Sequence, residues 1–334
     1  MFKHSIIIPA RNEEHYIEGC LQSIIENDYP NEFLEVFVVD GMSSDRTRDL
    51  VSIFSTQFPF IKLLENPYKT APHAFNKGIK QSTGDFISIL SAHSEYAKNY
   101  FNLLSRRHEL SPADNVGGLI LTDVKNKTSK SISIKKVLSH KLGVGNALFR
   151  TGINEITEVD TVAFGCYRKE VFERFGLFDE RLIRNQDIEY NKRIIKNGGK
   201  IILDPEIVCT YYAREDYQSL SRNNYSNGMW NILTVFYTKD FKSLSLRHFI
   251  PLVFLLSIVL PALVSLFYLP FIGVSILSLF TYLLVVSIVS ANITDSETRL
   301  INVLYAFICL HFSYGIGSMF GIIKLIPLSL NKTK

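Results

Sequence analysis

From Phe249 to Ser290 the chain has no Asp, Glu, Lys or Arg, and nothing upstream has a comparable run without charge. That gap excludes a uniformly soluble protein and sets a composition boundary near residue 249. Cysteine is scarce: Cys20, Cys166, Cys209 and Cys309 lie far apart, with no paired spacing for a zinc site or a disulfide framework. A net charge of only +4 on 334 residues gives no reason to propose a nucleic-acid partner. Met1-Phe2-Lys3-His4 runs straight into a strand pattern with no apolar h-region, so no cleaved signal peptide is expected.

The charge-free region instead reads as membrane. Phe249–Tyr268 and Phe271–Ser290 are each about the length needed to cross roughly 30 Å of hydrocarbon, and only Leu269-Pro270 separates them. A third apolar stretch, Ile301–Ile323, carries His311, with Gly317 and Gly321 spaced for close helix approach. Lys239, Lys242 and Arg247 precede the first span and place the N-terminal part in the cytoplasm; Lys324, Lys332 and Lys334 prefer the same side. Three full crossings cannot satisfy both groups, which leaves the third stretch as a re-entrant or interfacial segment or the short tail as an exception. The expected division is residues 1–235 as the N-terminal domain, 236–248 as a juxtamembrane linker, 249–324 as the transmembrane region and 325–334 as a tail.

Upstream, short β-branched or aromatic runs at Ser5–Pro9, Leu34–Val39, Ile61–Glu65 and Asp85–Leu90 alternate with helical periodicity at Glu13–Ile25, Asp45–Phe54 and Pro72–Gln81. Such alternation predicts an α/β fold with a mainly parallel sheet covered on both faces. Ligands of open sheets bind beyond the carboxyl ends of the strands, and three of those ends are polar: Pro9-Ala10-Arg11-Asn12-Glu13, Asp40-Gly41-Met42-Ser43-Ser44-Asp45, and Ser91-Ala92-His93-Ser94-Glu95. Asp45 reads as a helix-start residue. Asp40 directly follows an apolar strand, and its carboxylate is expected to face the crevice and accept hydrogen bonds from a base or ribose.

Ile6-Ile7-Ile8-Pro9-Ala10-Arg11-Asn12-Glu13, Val38-Val39-Asp40-Gly41-x-Ser43-x-Asp45-x-Thr47, Asn76-Lys77-Gly78 and Thr83-Gly84-Asp85 follow one another in an order that resembles the family 2 glycosyltransferases of GT-A fold. With Asp160-Thr161-Val162-Ala163-Phe164-Gly165, Arg184-Asn185-Gln186-Asp187 and the His311–Gly317 run, the set is similar to succinoglycan-type exopolysaccharide glucosyltransferases. The resemblance implies a nucleotide-sugar donor, UDP-hexose first, held by Pro9, Ala10, Asn12, Glu13, Asp40, Ser43, Asn76, Lys77, Ser91 and Ala92. It implies Asp187 as the catalytic base of an inverting transfer to a lipid-linked glycan, with Arg184, Asn185, Gln186 and Trp230 toward the acceptor. Where relatives carry Asp-x-Asp or Asp-Ala-His, this chain reads Ser91-Ala92-His93. A hydroxyl is a poor ligand for Mg²⁺ beside a carboxylate, which leaves His93 as the candidate ligand for a divalent ion, Mn²⁺ or Mg²⁺.

From Val124 to Asn154 the chain carries Lys125, Lys127, Lys130, Lys135, Lys136, Lys141 and Arg150 with no acid, which reads as a basic surface meeting anionic lipid headgroups. The expected setting is thus a multi-pass protein of the plasma (inner) membrane with its catalytic domain in the cytoplasm. Two alternatives stay open: transfer to a free polyprenyl phosphate, and a catalytically weak sugar-nucleotide-binding membrane subunit, for which Ser91 and the Met229 found where relatives carry arginine are the motives.

Overall fold

The computed structural model describes residues 1–330. In chain order the elements are β1 (His4–Ala10), α1 (Ile17–Ile25), β2 (Leu34–Asp40), α2 (Thr47–Gln57), β3 (Ile61–Glu65), α3 (Ala71–Gln81), β4 (Phe86–Ile89), β5 (Ser94–Tyr96), α4 (Tyr100–Leu110), β6 (Asn115–Asp123), α5 (Ser129–Ser139), α6 (Lys141–Val144) and α7 (Leu148–Thr151). They continue with β7 (Thr157–Glu158), β8 (Cys166–Arg168), α8 (Glu170–Phe175), α9 (Gln186–Lys196), β9 (Ile201–Tyr212), α10 (Tyr217–Thr238), α11 (Ile250–Val264), α12 (Ile272–Ile293) and α13 (Leu300–Leu330). The chain forms two compact units, Met1–Thr122 with Leu148–Tyr212, and Asp123–Ala147 with Ala213–Lys334. This division differs from a single boundary after residue 235: the segments around α5 and α10 belong with the apolar helices.

The first unit is built on one sheet in the order β3-β2-β1-β4-β8-β6-β9-β5, with β7 paired to β9. β1 pairs in parallel with β2 and β4, and β2 with β3. β8 runs antiparallel to β4 and β6. Every residue of β2 is buried, as expected of a parallel strand covered on both faces. Side chains alternate across the pleat, so Ile6, Ile8, Val36 and Val38 enter one core while Ile7, Phe37 and Val39 enter the other. Gly78 lets α3 lie on β1, because a Cβ there would come within 2.6 Å of Ile7 Cγ2. At the opposite end of the strands, Glu35 accepts hydrogen bonds from the Thr83 and Gly84 N–H groups and the Ser5 hydroxyl. The Thr83-Gly84-Asp85 motif therefore locks strand starts and lies away from the polar strand ends.

The second unit is helical. Its core joins Ile134 and Val137 of α5, Leu220 of α10, Val286 of α12, and Val303, Ala306, Phe307 and Leu310 of α13. Three of its helical segments are long and apolar enough to cross a membrane: Leu246–Val264, Leu269–Ile293 and Leu300–Pro327. The first two are 11% buried and the third 44%. α13 also reaches Leu330, into what the sequence suggested as tail, while Lys332 and Lys334 lie outside the described residues. The small residues expected to bring helices together do so, but their partner is α10: a Cβ on Gly317 would sit 2.0 Å from Tyr225 O, and one on Gly228 would sit 2.0 Å from Tyr314 O. Ser318 donates to Gly228 O across the same seam.

The basic run is an open charged surface only in part: Lys125, Lys127, Lys130 and Lys141 are exposed, whereas Lys135, Lys136 and Arg150 are half-buried. It folds into α5, α6 and α7, and most of its cations have partners within the chain. Lys135 pairs with Asp123 at 2.8 Å, Lys136 with Asp295 at 2.6 Å and with Ile293 O at 2.8 Å, and Lys130 lies over the Tyr217 ring. His311 bridges Tyr282 OH (3.0 Å) and Leu142 O (2.9 Å), a packing role.

Gly317→Leu should force α10 and α13 apart. Overpacking of this kind costs about 1–3 kcal/mol, so the full chain in detergent should lose several degrees of Tm, whereas Ile316→Leu on the exposed side should change it little.

Candidate active site

The site begins with two loops tied at equal height. β1 and β2 pair in register up to Ala10 opposite Asp40, and Gly41 N–H donates to Ala10 O at 2.7 Å. Beyond them Asn12 and Met42 both take the left-handed conformation, at φ 59°, which few non-glycine residues adopt. Asn12 N–H donates to Ser43 Oγ (2.9 Å), Ser44 N–H donates back to Asn12 Oδ1 (2.8 Å), and Glu13 N–H donates to Thr47 Oγ1 (2.7 Å). Asp45 accepts from Thr47 and from Glu14 N–H, the helix-start role read from the sequence.

Asp40 differs from expectation. Rather than facing the crevice, it is fully buried, accepts from both the N–H and the hydroxyl of Ser43, and stands 3.8 Å from Arg48. Its position is what holds Ser43 at the crevice edge. Asn76 is likewise committed to the fold: its amide donates to Phe178 O and Glu180 Oε1 and accepts from Phe178 N–H. Lys77 reaches the end of β3 and donates to Glu65 O.

The third polar end belongs to β4. His93 N–H donates to the Ser91 hydroxyl (3.2 Å), Ser91 N–H donates to Tyr96 OH (2.8 Å), and Ala92 is buried beneath. His93 Nε2 lies 2.9 Å from Glu13 Oε1, and its ring packs against Tyr16 (4.8 Å) and Tyr211 (6.2 Å). Among the described residues no group of three or more His, Cys, Asp or Glu is arranged to hold a metal ion. The Glu13–His93 pair nonetheless offers one carboxylate and one imidazole at a strand end. A divalent ion that takes its remaining ligands from a diphosphate needs few protein groups, so the pair fits that use. Sequence reasoning found both residues but not their pairing, which the β1 and β4 loops create; Tyr16 and Tyr211 carried no signal.

Asp187 sits in the first turn of α9, after Asn185 in the left-handed conformation at φ 60°. Burial pushes its carboxyl above the ordinary aspartate range, outweighing the backbone N–H groups of Ile188 and Asp187 that favour the charged form. Beside it Gln186 Oε1 is buried without a hydrogen-bond partner. The helix is fixed in place: Asn191 donates to Thr161 Oγ1 and Val162 O, Lys192 pairs with Asp160 at 3.0 Å, and Arg193 binds Glu189, Phe175 O and Leu177 O. Thus the Asp160–Gly165 motif supports α9. Trp230 belongs to the other unit, on α10, where it stacks on Tyr237.

Polar loops at the carboxyl ends of parallel strands are where open α/β sheets bind their ligands. Residues 5–176 match glycosyl transferase family 2, and the chain belongs to that family. It is a glycosyltransferase. The chain is 35% identical over 235 residues to a dolichyl N-acetyl-alpha-D-glucosaminyl phosphate 3-beta-D-2,3-diacetamido-2,3-dideoxy-beta-D-glucuronosyltransferase of Methanococcus voltae, covering 67% of this chain and 71% of that one. It is 27% identical to the succinoglycan biosynthesis protein ExoA of Rhizobium meliloti, covering 63% of each. It is also 27% identical to the UDP-Glc:alpha-D-GlcNAc-diphosphoundecaprenol beta-1,3-glucosyltransferase WfgD of Escherichia coli, over 69% of this chain and 84% of that one. In fold it is similar to the mannosyltransferase PcManGT of Pyrobaculum calidifontis, crystallised with GDP-Man and Mn²⁺, with TM-score 0.58, 17% identity, and 94% and 87% of the two chains covered. The fold is thus GT-A, as the motifs implied.

If Glu13 and His93 share one role, each variant should show it. Glu13→Gln and His93→Ala should both raise the Mn²⁺ concentration needed for half-maximal transfer at least tenfold, while Ser91→Ala, which removes neither the carboxylate nor the imidazole, should leave it near that of the parent.

Proposed function

We propose that this chain is an inverting hexosyltransferase that uses a UDP-hexose and extends a polyprenyl-linked glycan during synthesis of a surface polysaccharide. The observation that carries the reading is the half-buried Asp187 at the start of α9, whose carboxyl desolvation pushes above the ordinary aspartate range. In the reaction, the acceptor hydroxyl oxygen bonds to the anomeric carbon, the bond from that carbon to the diphosphate oxygen breaks on the opposite face, and the hydroxyl proton passes to Asp187. One base is enough, since the nucleoside diphosphate leaves as a stabilised anion. The Pro9–Glu13 and Asp40–Asp45 loops, with Ser91 and Ala92 at the end of β4, hold the nucleotide, Asp40 acting through Ser43, and Lys77 adds a positive charge. Gln186 offers its buried, unpartnered oxygen to an acceptor hydroxyl, with Arg184 and Asn185 next to it in the chain. Glu13 and His93 hold the divalent ion, Mn²⁺ or Mg²⁺, which when bound neutralises charge on the departing diphosphate. The acceptor class is supported by two of the relatives, whose names specify an N-acetylglucosamine joined through phosphate or diphosphate to a polyprenol.

The membrane arrangement we propose has two crossings, α11 and α12, with the catalytic unit on the cytoplasmic side of the plasma membrane. α13 lies at the interface with lipid. Its support is the α10 seam: α10 carries Arg222, Asn223, Asn224, Asn227 and Asn231, a set too polar for hydrocarbon. This arrangement also puts Lys239, Lys242 and Arg247 on the same side as Lys324, Lys332 and Lys334. A reporter fused after Lys334 should read cytoplasmic; an external reading rejects the two-crossing arrangement.

Asp187→Asn should lower kcat by about 10²–10⁴ with UDP-glucose and a polyprenyl diphosphate-linked N-acetylglucosamine as substrates. Because only the ionised carboxylate accepts the proton and burial raises its pKa, the acid limb of kcat/KM should fall as pH drops and have its midpoint above the ordinary aspartate value of about 3.9. Full activity in the amide variant would remove Asp187 from the chemistry.

A further inference from the structure

Arg150 is a cation in the first unit that the transferase reading leaves unused. It sits on α7, where Nη1 donates to Thr122 Oγ1 at 3.0 Å and the guanidinium lies over the rings of Tyr211 (5.2 Å) and Phe149 (6.0 Å). Among the described residues no carboxylate pairs with it, whereas Arg48, Arg107, Arg174, Arg181 and Arg193 each meet one. Burial pulls its guanidinium below the ordinary range, with only Tyr211 and Cys209 acting the other way. A guanidinium has five N–H donors in a planar fork, and Thr122 uses one of them.

An unpaired cation taken out of water is costly. Here the half-buried guanidinium lies over two aromatic rings in place of a counter-ion. The ring of Tyr211 that carries it also flanks His93, and Tyr212 N–H donates to His93 O at 2.9 Å. The cation therefore stands one ring away from His93.

We propose that Arg150 is a phosphoryl-binding residue, its free N–H groups taking the oxygens of a phosphate brought by a substrate. A planar fork matches two phosphate oxygens at once, which an ammonium group does not. That the phosphate is the donor's diphosphate or the phosphate linking the acceptor sugar to its lipid rests on the transferase reading above; the need for an anion does not.

The test is a thermal-shift titration of the full chain in detergent, using UDP and a short-chain polyprenyl diphosphate as probes, on the parent, Arg150→Gln and Arg150→Lys. Hydrogen bonds to a charged partner predict a loss of roughly 10- to 150-fold in affinity for one probe with Gln, and a smaller loss with Lys. The ligand-free Tm of the Gln variant should be equal to or above that of the parent, because a buried charge without a counter-ion is removed. A loss confined to UDP assigns the donor diphosphate, and one confined to the polyprenyl diphosphate assigns the acceptor. Unchanged affinity for both probes overturns the proposal, and so does a lowered ligand-free Tm with both affinities falling alike, which marks a structural arginine. Transfer by Asp187→Asn is read separately, so a failed base assignment does not decide this result.

Discussion

Everything in the first unit hangs on the pairing of β1 between β2 and β4, parallel and in register. Parallel strands finish at the same end, so the loops after Ala10, Asp40 and Ile89 open at one edge. The hydrogen bond from Gly41 N–H to Ala10 O closes the first two loops against each other, and the exchange between Asn12, Ser43 and Ser44 completes the lock. Two left-handed non-glycine residues are tolerated there because the surrounding bonds fix them. Without the in-register sheet these polar residues would be separate caps on separate helices.

Charge in the site is governed by burial more than by pairing. Asp187 lies at the positive end of a helix, which favours its ionised form by up to about 1–2 kcal/mol, yet desolvation wins and its carboxyl is raised. Arg150 shows the same balance for a cation, with aromatic faces in place of a counter-ion. Glu13 and His93 meet at the β4 end, 2.9 Å apart. A site built this way favours anionic ligands and proton acceptance, consistent with transfer from a sugar diphosphate.

In the second unit the controlling contact is backbone against backbone. Gly228, Gly317 and Gly321 let α10 and α13 approach so closely that a single methyl group on any of them would clash with a carbonyl oxygen of the other helix. That seam explains why α13 is far more buried than the other two apolar helices, although all three are hydrophobic enough to cross a membrane. Away from that seam, Lys136 of α5 meets the carbonyl end of α12, a position where a cation is stabilised by the exposed carbonyls.

The strands and their order in the parallel half were legible because fully buried parallel strands are continuous apolar runs, as in Ile6-Ile7-Ile8 and Val36-Phe37-Val38-Val39. The three polar strand ends and Asp187 were legible for a related reason, since a polar cluster interrupts an apolar pattern at a fixed place, and the family motifs made the chemistry explicit. Side-chain direction was not: Asp40 was expected to face the crevice and is turned into the fold by Ser43, and Asn76 is held by the Phe178 loop, 102 positions away. Partners distant in sequence decided the rest, pairing Glu13 with His93, placing Arg150 on Tyr211, and setting α13 against α10. The sequence by itself determined the fold class, the strand-end location of the site and the apolar character of the C-terminal helices, because these follow from local periodicity and composition. Only the tertiary structure decided which polar groups the fold neutralises and which it leaves for a ligand, because that depends on contacts between residues that no local pattern links.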